Sequence, residues 1–175
     1  MFPLFHLAVP LGLSEIPYIK KNFRINRFSL LFGALSPDIF DKFLYFIGIG
    51  PGRFICHTLI FLISSTIMVF ILSQLLRFKK SPNLNKSYNA IAISYFVGVS
   101  IHLLLDLPKV PLLYPFIPNI PITEGDKLIV WITKLITDPI VIITEISGLI
   151  LILYVFFKNK LYHLKDMWYY LILTQ

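Results

Sequence analysis

Residues 98–106, GVSIHLLLD, contain a histidine and an aspartate four positions apart in an otherwise apolar run. At helical spacing His102 and Asp106 lie one turn apart on one face, and Gly98 lies one turn earlier on that face. The imidazole and the carboxylate can therefore bind the same ion. Because an ionisable residue in a membrane span costs about 2.5–3.5 kcal/mol or more, we expect a compensating divalent metal. The alternative is a neutral His–Asp hydrogen bond that only fixes helix packing.

Other residues suited to metal binding stand in or beside apolar segments. They are His6, Asp38, Asp41, His57 and, less securely, Glu145 within the last apolar segment. Imidazole nitrogens and carboxylate oxygens without thiolates suit zinc, and also manganese or iron(II). The single cysteine, Cys56, excludes a site with several thiolates. We therefore predict one or two divalent ions, and a catalytic ion would keep one position open for water.

The composition indicates where these residues lie. Hydrophobic residues make up 57% of the chain, charged residues only 14%, and the mean hydropathy is +0.77. These values are far from those of soluble domains and indicate an integral membrane protein. We predict a single domain over residues 1–175. Its fold would be an all-α polytopic bundle of about four spans, with a broken N-terminal pair (2–19 and 28–49) followed by spans near 56–76, 88–107 and 138–157.

The net charge of +7 comes from basic clusters beside the apolar segments, at 20–27, 77–86 and 158–165. Such clusters are typical of cytoplasmic loops and do not indicate a nucleic-acid surface. If the loop at 77–86 is cytoplasmic, the span that begins at His57 and the span that ends at His102 and Asp106 both have these residues at the outer interface. This topology predicts a multi-pass protein of the cell membrane whose metal-binding residues share one level of the bilayer.

Two proline sequences indicate helix starts. In Ser36-Pro37-Asp38, the serine is a candidate N-cap, the proline suits the first helical position, and Asp38 and Asp41 fall in the first turn. This pattern predicts a break within residues 28–49. The second sequence, Thr137-Asp138-Pro139, opens the last span, where Asp138 is most simply an N-cap.

Four pieces of the sequence together resemble a known family, the YdjM-like membrane-bound metal-dependent hydrolases. They are His6, the block GALSPDIFD at 33–41, Arg53 with His57 four positions later, and the block at 98–106. The order His…Asp…His…His-x3-Asp is in turn similar to that of the all-helical zinc-dependent phospholipase C and single-strand nuclease group, which hydrolyses phosphoesters. A further His-x3-Glu pair of that group is missing, because Val141 stands four residues before Glu145.

The resemblance implies which residues bind the metals. Asp38, His57, His102 and Asp106 would bind one metal, and His6 with Asp106 would contribute to a second. For the other two candidates we rely on residue type and position alone. Asp41 would activate or orient water, or else orient a ligand histidine. Arg53 would bind a phosphate oxygen, although an arginine that only snorkels to the interface fits equally well.

We therefore expect a membrane-bound metal-dependent hydrolase. Its substrate would be a phosphoester such as a phospholipid headgroup, since the site would lie at headgroup depth. Two alternatives stay open. The same residues would line an ion pathway in an ion or metal transporter, which Glu145 suits. In a non-catalytic membrane protein they would only fix helix packing.

Overall fold

The computed structural model describes residues 3–49, 54–78, 85–108, 110–117, 133 and 135–172. These residues form α-helices and one 3₁₀ turn and contain no strand, which confirms the all-α prediction. The helices are α1 (Pro3–Ser14), α2 (Pro17–Asn22), α3 (Arg27–Phe46), α4 (Leu59–Phe78), α5 (Asn85–Asp106), α6 (Pro139–Lys158) and α7 (Leu164–Ile172), and the 3₁₀ turn (Ile55–His57) precedes α4.

Three of the described helices are long and apolar enough to cross a membrane, over Leu59–Leu76, Tyr88–Asp106 and Pro139–Lys158. They confirm the predicted multi-pass membrane protein. The predicted N-terminal pair corresponds to α1, which is too short to span, and α3, which is 20 residues long. The charged residues Arg27, Asp38 and Asp41 of α3 are only 2%, 6% and 2% exposed, so they face the interior of the bundle.

Helices α3 and α5 pack closely because each has a glycine at the contact. A Cβ added to Gly33 would lie 2.4 Å from the carbonyl oxygen of Tyr95, and one added to Gly98 would lie 2.1 Å from that of Leu30. Small residues allow this approach of two backbones in a membrane bundle. It brings the face of α3 that carries Asp38 against the face of α5 that carries His102.

The predicted helix start at Ser36 is wrong, because α3 runs without a break through Pro37 and is capped instead by Asn26, whose side chain accepts from Ser29 N–H. A proline inside a helix leaves the carbonyl four residues earlier without its N–H donor. Here that carbonyl belongs to Gly33, and the hydroxyl of Ser36 donates to it at 3.0 Å. The side chain that resembled a cap therefore lets the helix continue.

The end of the bundle where α3 begins is basic. The carboxylate of Glu15 accepts from Arg27 Nη2 at 3.0 Å and from the Tyr170 hydroxyl at 2.7 Å, with Lys20 and Lys158 nearby at 3.5 and 3.7 Å. Burial opposes ionisation of Glu15, but the Tyr170 hydrogen bond and the cations lower its pKa below the usual value. Asp38 follows Arg27 by about three turns of α3, which is about 17 Å along the helix axis. The candidate ligands thus lie toward the opposite end.

Candidate metal centre

Four buried side chains converge where α3, the 3₁₀ turn and α5 meet. Asp38 comes from α3, His57 from the turn, and His102 and Asp106 from the last turns of α5, and each offers a ligand atom within 4.8 Å of all the others. His57 and His102 are fully buried, and Asp38 and Asp106 are 6% and 4% exposed. The structure thus brings together the four residues that the resemblance assigned to one metal.

The spacing of the ligand atoms fits a small cation. His57 Nε2 lies 3.2 Å from His102 Nε2, 3.4 Å from Asp38 Oδ1 and 3.5 Å from Asp106 Oδ2. His102 Nε2 lies 3.7 Å from Asp106 Oδ2 and 4.0 Å from Asp38 Oδ1. Ligands in a tetrahedral zinc site, with bonds of about 2.0–2.1 Å, are separated by about 3.3–3.4 Å. The three separations from His57 Nε2 are close to that value, and the two from His102 Nε2 to the carboxylates are somewhat longer.

Hydrogen bonds on the outer side of each imidazole determine which nitrogen faces the centre with a lone pair. His102 Nδ1 lies 2.6 Å from the carbonyl oxygen of Ala34, and His57 Nδ1 lies 2.6 Å from Asp41 Oδ2. Both oxygens only accept, so each Nδ1 carries a proton, and in the neutral rings both Nε2 atoms are acceptors. Two lone pairs and two carboxylates therefore point at one another, an arrangement that requires a proton or a metal ion.

Three carboxylates surround the His57 ring, so the centre favours positive charge. Asp38 Oδ1 and Asp106 Oδ2 lie 3.4 and 3.5 Å from Nε2, and Asp41 Oδ2 lies 2.6 Å from Nδ1. Asp38 Oδ1 is buried and makes no hydrogen bond within the part of the chain that the structure describes. A divalent ion in place of the His57 proton would give ligands to both histidines and both carboxylates.

Asp41 holds His57 in place. Its Oδ2 accepts from His57 Nδ1–H and, at 2.8 Å, from Phe54 N–H, while Oδ1 accepts from Cys56 N–H at 3.0 Å. One carboxylate therefore fixes both the 3₁₀ turn and the orientation of the imidazole, as carboxylates beside metal-bound histidines do. This geometry fits the expectation that Asp41 orients a ligand histidine, and its role in activating water stays a prediction.

His6 lies beside the four-residue cluster. It is fully buried, its Nε2 lies 3.4 Å from Asp106 Oδ1, and its ring centroid lies 4.5 Å from that of His102. Asp106 therefore directs Oδ1 toward His6 and Oδ2 toward His57 and His102. This divided carboxylate is the arrangement expected of a residue shared between two ions.

The remaining candidates lie elsewhere. Asp138 caps α6, accepting from Ile140 N–H at 3.0 Å, which confirms the N-cap prediction. Glu145 is not part of the converging group among the described residues, and its carboxylate contacts the start of α1 instead. Arg53 lies outside the described residues. Sequence reasoning missed the carbonyl of Ala34, because a backbone group has no residue type that could signal its role.

The comparison with protein families agrees with a membrane protein. The family model of the YdjM inner membrane protein matches residues 1–172, nearly the whole chain. No curated protein and no solved structure matches this chain. The similarity to zinc-dependent phospholipase C therefore stays a prediction.

Proposed function

Because the chain belongs to the YdjM inner membrane protein family and holds a buried His/Asp cluster, we propose that it is a membrane-embedded metal-dependent hydrolase of phosphoesters. The observation that carries the proposal is the convergence of four ligand atoms within 4.8 Å, with each histidine held through Nδ1 so that Nε2 faces the centre. Helix packing alone does not require two acceptor nitrogens to face two carboxylates.

In this proposal Asp38, His57, His102 and Asp106 hold the first ion. The neutral nitrogen and carboxylate oxygen set suits zinc, with manganese or iron as alternatives. A bound divalent metal supplies a hydroxide nucleophile near neutral pH and charge stabilisation for a phosphoester. Asp41 keeps His57 in the ligating tautomer and is a positioning residue.

His6 and Asp106 Oδ1 would hold a second ion. The four residues of the first position would already complete the usual ligand number of a zinc ion. A pair of ligands leaves several positions open for water and substrate. The short distance from His6 Nε2 to Asp106 Oδ1, 3.4 Å, supports a second binding position next to the first.

The position of the cluster supports a lipid headgroup as substrate. Asp106 ends α5, and the cluster lies toward the end of the bundle opposite the basic residues around Glu15. By the positive-inside rule the cluster would face the outer headgroup region. Phospholipids present a phosphoester at that depth, and we infer that Arg53 binds a phosphate oxygen there.

The proposal is tested with purified protein in phospholipid vesicles. The zinc-loaded parent should release headgroups from the vesicles and cleave bis(p-nitrophenyl) phosphate, and chelation should abolish both activities. His102→Ala should lose at least about 100-fold in rate, since a ligand is removed, whereas His163→Ala, at an exposed histidine of the C-terminal segment, should match the parent.

A metal-loaded parent protein that cleaves neither substrate would contradict the proposed hydrolase function. Metal uptake into sealed vesicles by the same protein would favour a transporter instead.

A further inference from the structure

Glu145 is an acidic residue inside a membrane span that the proposed metal centre does not use. It lies in α6 within the candidate span Pro139–Lys158 and is 8% exposed. Its Oε2 accepts from Leu4 N–H at 3.3 Å and its Oε1 from Phe5 N–H at 3.1 Å. These are N–H groups of the first turn of α1, which have no partner within their own helix.

The N–H groups at the start of α1 are partly buried beside α6. A buried N–H group that has no acceptor is strongly destabilising, so the start of a packed helix needs acceptors from outside the helix. Pro3, the first residue of α1, has no N–H, and the next two N–H groups both bind Glu145. A side chain from a helix about 140 residues away therefore acts as the N-terminal cap of α1.

A second contact fixes the same point. Gly148 lies one turn after Glu145 on α6, and a Cβ added there would lie 2.9 Å from the nitrogen of Phe5 and 3.0 Å from the carbonyl carbon of Leu4. The backbone of α6 thus touches the first turn of α1. The glycine gives the approach and the glutamate gives the hydrogen bonds, so both the depth and the rotation of α1 are determined at its start.

The residue that follows this anchored turn is His6. Helix α1 has only 12 residues, so its own length does not fix its depth in the bilayer. A slip of one residue would move His6 by about 1.5 Å along the axis and turn it by about 100° away from Asp106. The contact between His6 Nε2 and Asp106 Oδ1 at 3.4 Å therefore depends on the anchor.

We propose that Glu145 is a positioning residue that caps α1 from α6 and thereby holds His6 in the second ion position. The inference rests on the proposed metal function. The proposal predicts that loss of Glu145 affects the two ions differently. The proposed ligands of the first ion lie on α3, the 3₁₀ turn and α5, whereas the second ion also needs His6 on α1. Removing the anchor should weaken the second ion and spare the first.

The test measures zinc stoichiometry and affinity by titration of the purified, metal-stripped full-length protein. The parent should bind two ions, and His6→Ala should bind one tightly. Glu145→Ala and Gly148→Ala should both weaken the second ion about 10- to 100-fold, as loss of a supporting residue does. Glu145→Gln keeps one acceptor oxygen and should fall between Glu145→Ala and the parent. Ser147→Ala is the matched control, since its hydroxyl is exposed and donates to Thr144 O of the same helix.

Several results would overturn the inference. Two ions bound by Glu145→Ala with parental affinities would show that the anchor does not position His6. Equal weakening of both ions in Glu145→Ala and Glu145→Gln, with a lowered Tm, would show a role in overall folding only. If the parent binds only one zinc ion, and His6→Ala does not change its affinity, there is no second ion position. A parent that binds no zinc would instead contradict the proposed function itself.

Discussion

Replacing Asp41 by asparagine should weaken metal binding although Asp41 is not a proposed ligand. The carboxylate accepts three hydrogen bonds, from His57 Nδ1, Phe54 N–H and Cys56 N–H. An asparagine has one acceptor oxygen and one NH₂ group in place of two oxygens. Whichever way the amide turns, its NH₂ group meets at least one of these donors.

The two orientations differ in what they cost. With the amide oxygen toward His57 and Phe54, the NH₂ group faces Cys56 N–H and one buried donor loses its partner, at a cost of about 1–3 kcal/mol. With the NH₂ group toward His57, Nδ1 must become the acceptor and Nε2 takes the proton, which blocks the ligand atom. The first orientation should dominate, and the weaker support of His57 should reduce metal affinity about 10- to 100-fold.

The affinity is measured by competition between the purified protein and a chelating dye for zinc. Asp41→Asn should bind 10- to 100-fold more weakly than the parent, and Asp38→Asn, which alters a ligand, should be weaker still. Asp166→Asn, at an exposed aspartate of α7, is the control and should match the parent. Parental affinity in Asp41→Asn would refute the reasoning that Asp41 supports His57.

Three further predictions concern the fold and are read from Tm in detergent. Gly98→Ala should lower the free energy of unfolding by at least about 1–3 kcal/mol, because the new Cβ meets the backbone carbonyl of Leu30 in α3. Gly12→Ala should cost less, because its Cβ meets a leucine side chain that can move. Equal effects of the two variants would contradict the close packing of α3 on α5. Ser36→Ala should cost about 1–3 kcal/mol, because the carbonyl of Gly33 loses its donor, and an unchanged Tm would disprove that role. The folded-state pKa of Glu15 lies below its usual value of 4.5, so the ionised carboxylate stabilises the fold fully above pH 4.5 and less as the pH falls toward the folded-state pKa. The Tm difference between the parent and Glu15→Gln should therefore shrink below pH 4.5. A Tm difference that stays constant would contradict the buried ion pair.

Spacing and topology predicted much of the candidate site. Four-residue spacing puts His102 and Asp106 on one helical face, and two antiparallel spans bring His57 to the same level. Asp38 and His6 were candidates by residue type, but only the resemblance assigned them to particular ions, since nothing in their local sequence shows which helix they face. The structure places all five side chains together.

Contacts with other helices account for most of the errors and omissions. Ser36-Pro37 has the local signature of a helix start, but the serine hydroxyl serves the carbonyl freed by the proline and also contacts the Tyr95 hydroxyl on α5, 3.0 Å away. Glu145 resembled a residue of an ion pathway because its partners, the N–H groups of α1, are about 140 positions away. Local pattern alone does not show such partners.

Metal content tests the central claim most directly. The protein is purified in detergent without chelators and analysed by elemental mass spectrometry, beside a double variant with His102→Ala and Asp106→Ala. A second double variant, His163→Ala with Asp166→Ala, removes an exposed histidine and aspartate and is the matched control. We predict stoichiometric zinc, manganese or iron in the parent and the control, and none in the first variant. A folded parent that holds no metal even after supplementation would contradict the metal centre.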